Sequence, residues 1–220
     1  MSRLLAVCSV LLSASLARAT DLRVHVDIDT GAGVVPAAEA IIWVPGVFVK
    51  RNATREARIE HYGKRFVPRI TAAPIGTTIH FPNLDGIDHN AFSLSDAKPF
   101  DLGLYRGGEA RSVSFDRPGV IQLFCNIHSS MAAYIVIVDS KALARTDQQG
   151  NAVITDVPTG PQTVAVWHEL SGEKRQTIVV PRQPEMELVY TLDAKSWKPG
   201  SHKNKFGESY PTDTEGRHLY

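Results

Sequence analysis

Cysteine is almost absent from this chain of 220 residues: it occurs twice, at Cys8 and Cys125. Cys8 falls in an N-terminal stretch that reads as a secretory signal peptide over residues 1–19. Arg3 supplies the positive start, Leu4 to Leu12 the apolar stretch, and Ala17-Arg18-Ala19 a small-x-small cleavage site. A lipoprotein reading of Leu5-Ala6-Val7-Cys8 is weak, because Val is bulky before the cysteine and the position lies close to Met1. The exported chain then begins near Thr20 and carries a single thiol. A lone thiol in an oxidising compartment invites oxidation unless it is buried or bound to a metal, which directs attention to Cys125.

Other things are missing too. The apolar stretch at the N-terminus is too short to span a bilayer comfortably, and no other run is long or apolar enough. A soluble protein without membrane insertion is expected. Charge of one sign is lacking: losing Arg3 and Arg18 from 24 basic residues leaves one fewer than the 23 acidic ones. That balance gives no argument for a nucleic-acid or membrane-surface partner. No amphipathic helix of respectable length is found. Methionine is scarce as well, with only Met1, Met131 and Met186.

What the chain does have is short alternating strands punctuated by Gly and Pro. Leu22, Val24, Val26 and Ile28 fall on one face of the first. A second strand covers residues 40–44, and Pro45-Gly46 closes it. Residues 50–65 are rich in Lys, Arg and Glu and read as a surface connection. Strand signals resume over residues 66–67, 77–81, 111–115, 120–124 and 133–138, and after residue 150 over 152–154, 162–167, 176–180 and 185–192. The expected fold class is all-β, as sandwiches or barrels of antiparallel strands.

Chemistry concentrates in Phe124-Cys125-Asn126-Ile127-His128-Ser129-Ser130-Met131, between two apolar runs, with a second imidazole upstream in Asp88-His89-Asn90. One Cys, two His and one Met are the ligand types of a blue-copper site, in which soft sulfur favours Cu(I) and imidazole suits both copper states. Zinc would find Met131 a poor ligand and has no evident fourth hard ligand. A Cys/His hydrolase would need an orienting Asn or Asp, an oxyanion hole and a helix N-terminus for the thiol, and no helix is in sight. Haem attachment would need a second Cys. A buried core thiol beside a surface histidine is the bland alternative, and the added Met131 and the upstream His89-Asn90 weigh against it. Of the other histidines, His25 and His80 point away from the apolar faces of their strands, and His61 sits in the charged connection. His168 ends a strand, and His202 and His218 fall in the polar tail.

Over residues 66–138 the chain resembles the cupredoxins. Residues 76–85 look like the strand and loop that lead to the first ligand. His89-Asn90 is similar to the His-Asn pair of plastocyanin-like proteins, and Cys-x2-His-x2-Met is similar to the short ligand loop of amicyanin. With Val166-Trp167-His168 downstream, the combination resembles periplasmic cupredoxins of the methylamine-utilisation type. Residues 141–193 resemble an Ig-like module of the carboxypeptidase-regulatory kind, with a Thr146-Asp147-x-x-Gly150 turn and a Pro158-x-Gly160 turn.

The resemblance implies a cupredoxin Greek-key sandwich over 56–140 and a small Ig-like β-sandwich over 141–193. The Ig-like module lacks its opening strand pair, which residues 20–55 look able to supply; residues 194–220 read as a disordered tail. It also implies one type 1 copper ion held by His89, Cys125, His128 and Met131, with Asn90 tying the ligand loops together. The solvent edge of His128 becomes the expected port for electrons, ringed by Ile127, Ala132 and Ala133. Function would be one-electron transfer in the periplasm by a monomer that is not an enzyme, with a dehydrogenase or cytochrome as transient partner. Copper delivery without redox turnover, or a structural Ig-like protein with a vestigial site, are the alternatives. Scarcity of Met argues against delivery, and the intact ligand quartet argues against a vestigial site.

Overall fold

The computed structural model describes residues 19–47, 55–198 and 202–210. The signal peptide expected over 1–19 thus lies outside the described residues except for Ala19. Every regular element among the described residues is a strand. The first group is β1 (Ala19–Asp29), β2 (Val34–Pro36) and β3 (Ile41–Trp43). A middle group follows: β4 (Arg55–Arg58), β5 (Glu60–His61), β6 (Phe66–Val67), β7 (Ile70–Pro74), β8 (Thr77–Pro82), β9 (His89–Ser93), β10 (Phe100–Tyr105), β11 (Ala110–Phe115), β12 (Gly119–Phe124) and β13 (Ala132–Val138). The last group is β14 (Leu143–Arg145), β15 (Asn151–Pro158), β16 (Gly160–His168), β17 (Gly172–Val180) and β18 (Glu185–Asp193).

The first and last groups build one sandwich. Strand β1 lies between β15, antiparallel, and β18, parallel, with β2 also pairing β1. The facing sheet runs β14-β3-β16-β17. Alternation in β1 turns Leu22, Val24, Val26 and Ile28 inward, where they meet Ile42, Ile154, Val164, Val166 and Tyr190.

The middle group builds the second sandwich from sheets ordered β10-β9-β12-β13-β7 and β11-β8-β4. Strand β9 lies beside β12 and β8 beside β11, so non-consecutive strands pair in Greek-key fashion. Its core contains Ile79, Phe81, Phe115, Ile121, Leu123 and Ile135. The all-β expectation is met in both sandwiches.

The two are joined by strands that are apolar on both faces. In β3, Ile42 faces the first core while Ile41 and Trp43 face outward; in β16, Val164 and Val166 face in while Ala165 and Trp167 face out. In β13 the odd positions Ala133, Ile135 and Ile137 enter the second core, and Val136 and Val138 leave it. These outward side chains, with Ile70, form a third cluster between the sandwiches.

Two expectations are corrected. Residues 50–65 are not merely a surface connection: Arg55–Arg58 pairs parallel with β8, and Ile59 and His61 are fully buried. The charges mislead because they fall on the outer positions of a strand whose inner positions are few. Residues 194–220 are not wholly a disordered tail, since Ala194 packs in the first core and residues 202–210 lie against the Cys125 loop. The polar side chains there bond to the loop backbone, a pairing that composition alone does not reveal.

Candidate metal centre

Residues 125–131 form the hairpin loop between β12 and β13, whose last paired residues are Phe124 and Ala132. Two backbone bonds fold it tightly: Cys125 N–H donates to Met131 O at 3.2 Å, and Met131 N–H to His128 O at 3.1 Å. His89 opens β9, which pairs with β12 through Phe92 and Phe124. The neighbouring strand ends thus bring together residues far apart in sequence. One ligating atom from each of His89, Cys125 and His128 lies within 4.8 Å of the others, and all three residues are buried.

The donor atoms face one another. His89 Nδ1 is 3.2 Å from His128 Nδ1, which is 3.7 Å from Cys125 Sγ. Met131 is fully buried in the same apolar cluster as Cys125. Asn90 joins the two loops: its Oδ1 accepts from Asn126 N–H at 3.1 Å, and its Nδ2 donates to Asp101 Oδ1 and Gly103 O.

Electrostatics favour a neutral imidazole at His128. Burial, together with the facing His89 and Lys64, pushes His128 down to about 4. Burial pushes the Cys125 thiol up, while the amides of Ile127, Asn90 and His128 work the other way by donating to sulfur.

Asp85 and His61 also belong to this centre, and neither was identified from the sequence. Asp85 Oδ2 lies 2.7 Å from His89 Nε2, and the same carboxylate accepts from Gly63 N–H and Lys64 N–H. Burial works to raise the Asp85 carboxyl, but these donors outweigh it and hold it below its ordinary range. With its proton on Nε2 toward Asp85, His89 presents Nδ1 as a lone pair to the cluster. His61 stands edge-on to His89 with ring centroids 5.4 Å apart, and it also bonds Tyr105 Oη at 3.0 Å. Burial lowers it to about 3. The four-residue spacing from Asp85 to His89 is the one sequence signal that could have found the carboxylate.

Two further expectations fail. His128 is only 3% exposed, so it has no broad solvent edge, and Ala133 lies in the core rather than on a docking surface. His25 and His80 do remain partly exposed on their strands.

The donor set fits copper better than a hard cation: one sulfur and two imidazole nitrogens converge in an apolar pocket, with a thioether side chain in the same cluster. Among the described residues, no carboxylate joins the three-residue group.

No family model matches the chain, and no curated protein does. Solved structures do show likeness. A copper-containing nitrite reductase from Thermus scotoductus SA-01 is 25% identical over 43% of this chain and 25% of its own, with a TM-score of 0.37. A purple cupredoxin from Nitrosopumilus maritimus is 22% identical over 37% of this chain and 98% of its own, at 0.34. A reduced amicyanin variant is 16% identical over 44% and 97%, at 0.36.

Proposed function

We propose that this chain is a type 1 copper protein of cupredoxin kind that carries single electrons. The observation behind the proposal is the convergence of Cys125 Sγ with the Nδ1 atoms of His89 and His128 in a buried pocket. His89, Cys125 and His128 would hold the metal, and the buried thioether of Met131 would offer a weaker fourth donor. Bound there, copper supplies a one-electron couple.

The chain's own residues do the rest. Asp85 fixes the tautomer and orientation of His89. Amides aimed at Cys125 Sγ stabilise it as a thiolate. Asn90 holds the loop of Cys125 to the strand of His89. Packing around Phe81, Leu123 and Ile135 excludes water and keeps the donors in place through a change of charge.

Electron transfer is favoured over nucleophilic catalysis because Cys125 is fully buried, with no face open to a substrate. Delivery is disfavoured for a related reason, since His89 and Cys125 have no exposed face through which to hand over an ion. We place the protein in the periplasm as a monomer, exchanging electrons with a dehydrogenase or cytochrome in brief encounters.

Absorption spectroscopy tests this reading. Copper added to the protein without its signal peptide should give an intense thiolate charge-transfer band that bleaches on reduction. Cys125→Ser should abolish the band, because only a thiolate supplies that donor orbital. A colourless Cu(II) protein, or a coloured Cys125→Ser variant, overturns it.

A further inference from the structure

The C-terminal segment reaches the Cys125 loop from outside both sandwiches. Tyr210 Oη donates to the carbonyl of Cys125 at 2.5 Å and lies 3.2 Å from His202 Nδ1. His202 Nε2 donates to the carbonyl of Ser129 at 2.7 Å, and its ring stacks on Phe124 with centroids 4.3 Å apart. Lys205 N–H donates to Asn126 Oδ1 at 3.0 Å. The Lys205 ammonium pairs at 2.5 Å with Asp101, whose other oxygen accepts from Asn90 Nδ2.

These contacts share a target. Phe124, Cys125, Asn126 and Ser129 are all engaged, and two of the bonds end on backbone carbonyls of the loop itself. Tyr210 is 5% exposed, so its hydroxyl sits in a place where a missing partner would be costly. A polar segment resting by chance on a surface would leave such groups to water.

We propose that residues 202–210 are a working part of the metal centre, in which His202 and Tyr210 are positioning residues that keep the Cys125–Met131 loop closed. This rests on that loop being the ligand loop. Without the segment, the loop is held by the two backbone bonds among Cys125, His128 and Met131, by Asn126 N–H donating to Asn90 Oδ1, and by the packing of Cys125 and Met131 in the core. Loops of this kind open locally without global unfolding. The bonds from His202 and Tyr210 shift that opening toward the closed form, so the donors stay assembled before a metal arrives and are slow to release it.

The test is alkylation of Cys125 by iodoacetamide in the folded, copper-free full chain, read by mass on the peptide that carries Cys125. Tyr210→Phe removes only a hydroxyl, and His202→Phe keeps the stack on Phe124 but loses the donor to Ser129. Each should label about fivefold faster than the parent in the absence of urea, the change expected from one lost hydrogen bond, and the rate should respond only weakly to low urea, as local opening does. Lys203→Ala, an exposed position of the same segment, should label at the parental rate. In the copper-loaded protein, Tyr210→Phe should pass its metal to a Cu(I) chelator about fivefold faster. Parental labelling rates in both Phe variants overturn the proposal. So does labelling in the variants that climbs with urea as steeply as global unfolding, because Cys125 would then be exposed by unfolding and not by opening of the loop. A parent that takes up no coloured copper would sink the electron-transfer reading, while the labelling comparison would still decide the role of the segment.

Discussion

At the scale of single residues, the centre shows how far a short motif can be read. Cys125, His128 and Met131 are legible because their spacing confines them to one hairpin loop, and His89 because it opens a strand beside Asn90. Asp85 and His61 are not legible in the same way. A carboxylate in a loop beside Gly86 and a histidine in a charged run look solvated until the backbone folds them inward. Asp85 yields a sharp expectation. Asp85→Asn keeps one acceptor where Gly63, Lys64 and His89 together use both carboxylate oxygens. Copper affinity, measured by competition with a chelator, should fall about tenfold or more, the usual effect of losing a partner that orients a ligand. Met131 should behave differently. Its thioether would contribute little affinity but would tune the balance of copper states, so Met131→Gln should lower the reduction potential and Met131→Leu should raise it. Voltammetry giving one potential for all three proteins would remove Met131 from the ligand set.

At the scale of elements, alternation was the reliable guide. The inward face of β1 reads straight from the sequence, since a period of two leaves only one apolar side. Strands β3, β13 and β16 carry continuous apolar runs because both of their faces are covered, and a run of that kind does not say which neighbour covers which face. Turns also matter to the site. A Cβ on Gly107, in the connection between β10 and β11, would come within 2.2 Å of the Asp85 carbonyl oxygen. Gly107→Ala must therefore displace the backbone that aims Asp85 at His89, costing about 1–3 kcal/mol of stability by the overpacking scale and weakening copper binding with it. Urea denaturation beside chelator competition checks both effects. His168, at the end of β16, supplies a dependence on pH. Burial holds its imidazole below the ordinary 6.5, and its Nδ1 accepts from Leu170 N–H at 3.2 Å. The unfolded chain binds that proton first as pH falls, so its contribution is fully present above 6.5 and is lost below it. In the metal-free protein, His168→Gln should shrink the loss of stability between about pH 7.5 and about pH 5. An unchanged difference would mean that His168 titrates alike in the folded and unfolded chains.

At the scale of the whole molecule, the sandwich that carries the centre leaves its companion after β3 and returns just before β14. The two crossing segments are stitched together: Val44 N–H donates to Ala142 O, Lys141 N–H to Val47 O, and Ser140 Oγ to Val44 O. Beyond this neck, Trp43 and Trp167 on one side meet Ile70, Val136 and Val138 on the other. Tyr134 lies 5.3 Å from Trp167, Arg69 pairs with Glu169, and Arg145 Nη2 donates to Ile70 O. Strand β13 is thereby held from both faces, and β13 is one arm of the hairpin that presents Cys125, His128 and Met131. The sandwich of β1–β3 and β14–β18 therefore acts as a brace for the ligand hairpin. Such coupling should make the protein melt as one unit. Calorimetry of the metal-free parent should show a single transition whose calorimetric and van't Hoff enthalpies agree. Trp167→Ala removes the largest side chain that β16 contributes to the shared cluster, at about 3–5 kcal/mol, yet leaves both inner cores complete. That variant should melt in two steps, with the copper-binding sandwich unfolding at a temperature of its own. A parent that already melts in two steps would show that the shared cluster is contact without coupling, and the hairpin would then owe its rigidity to its own core and to the segment around Tyr210.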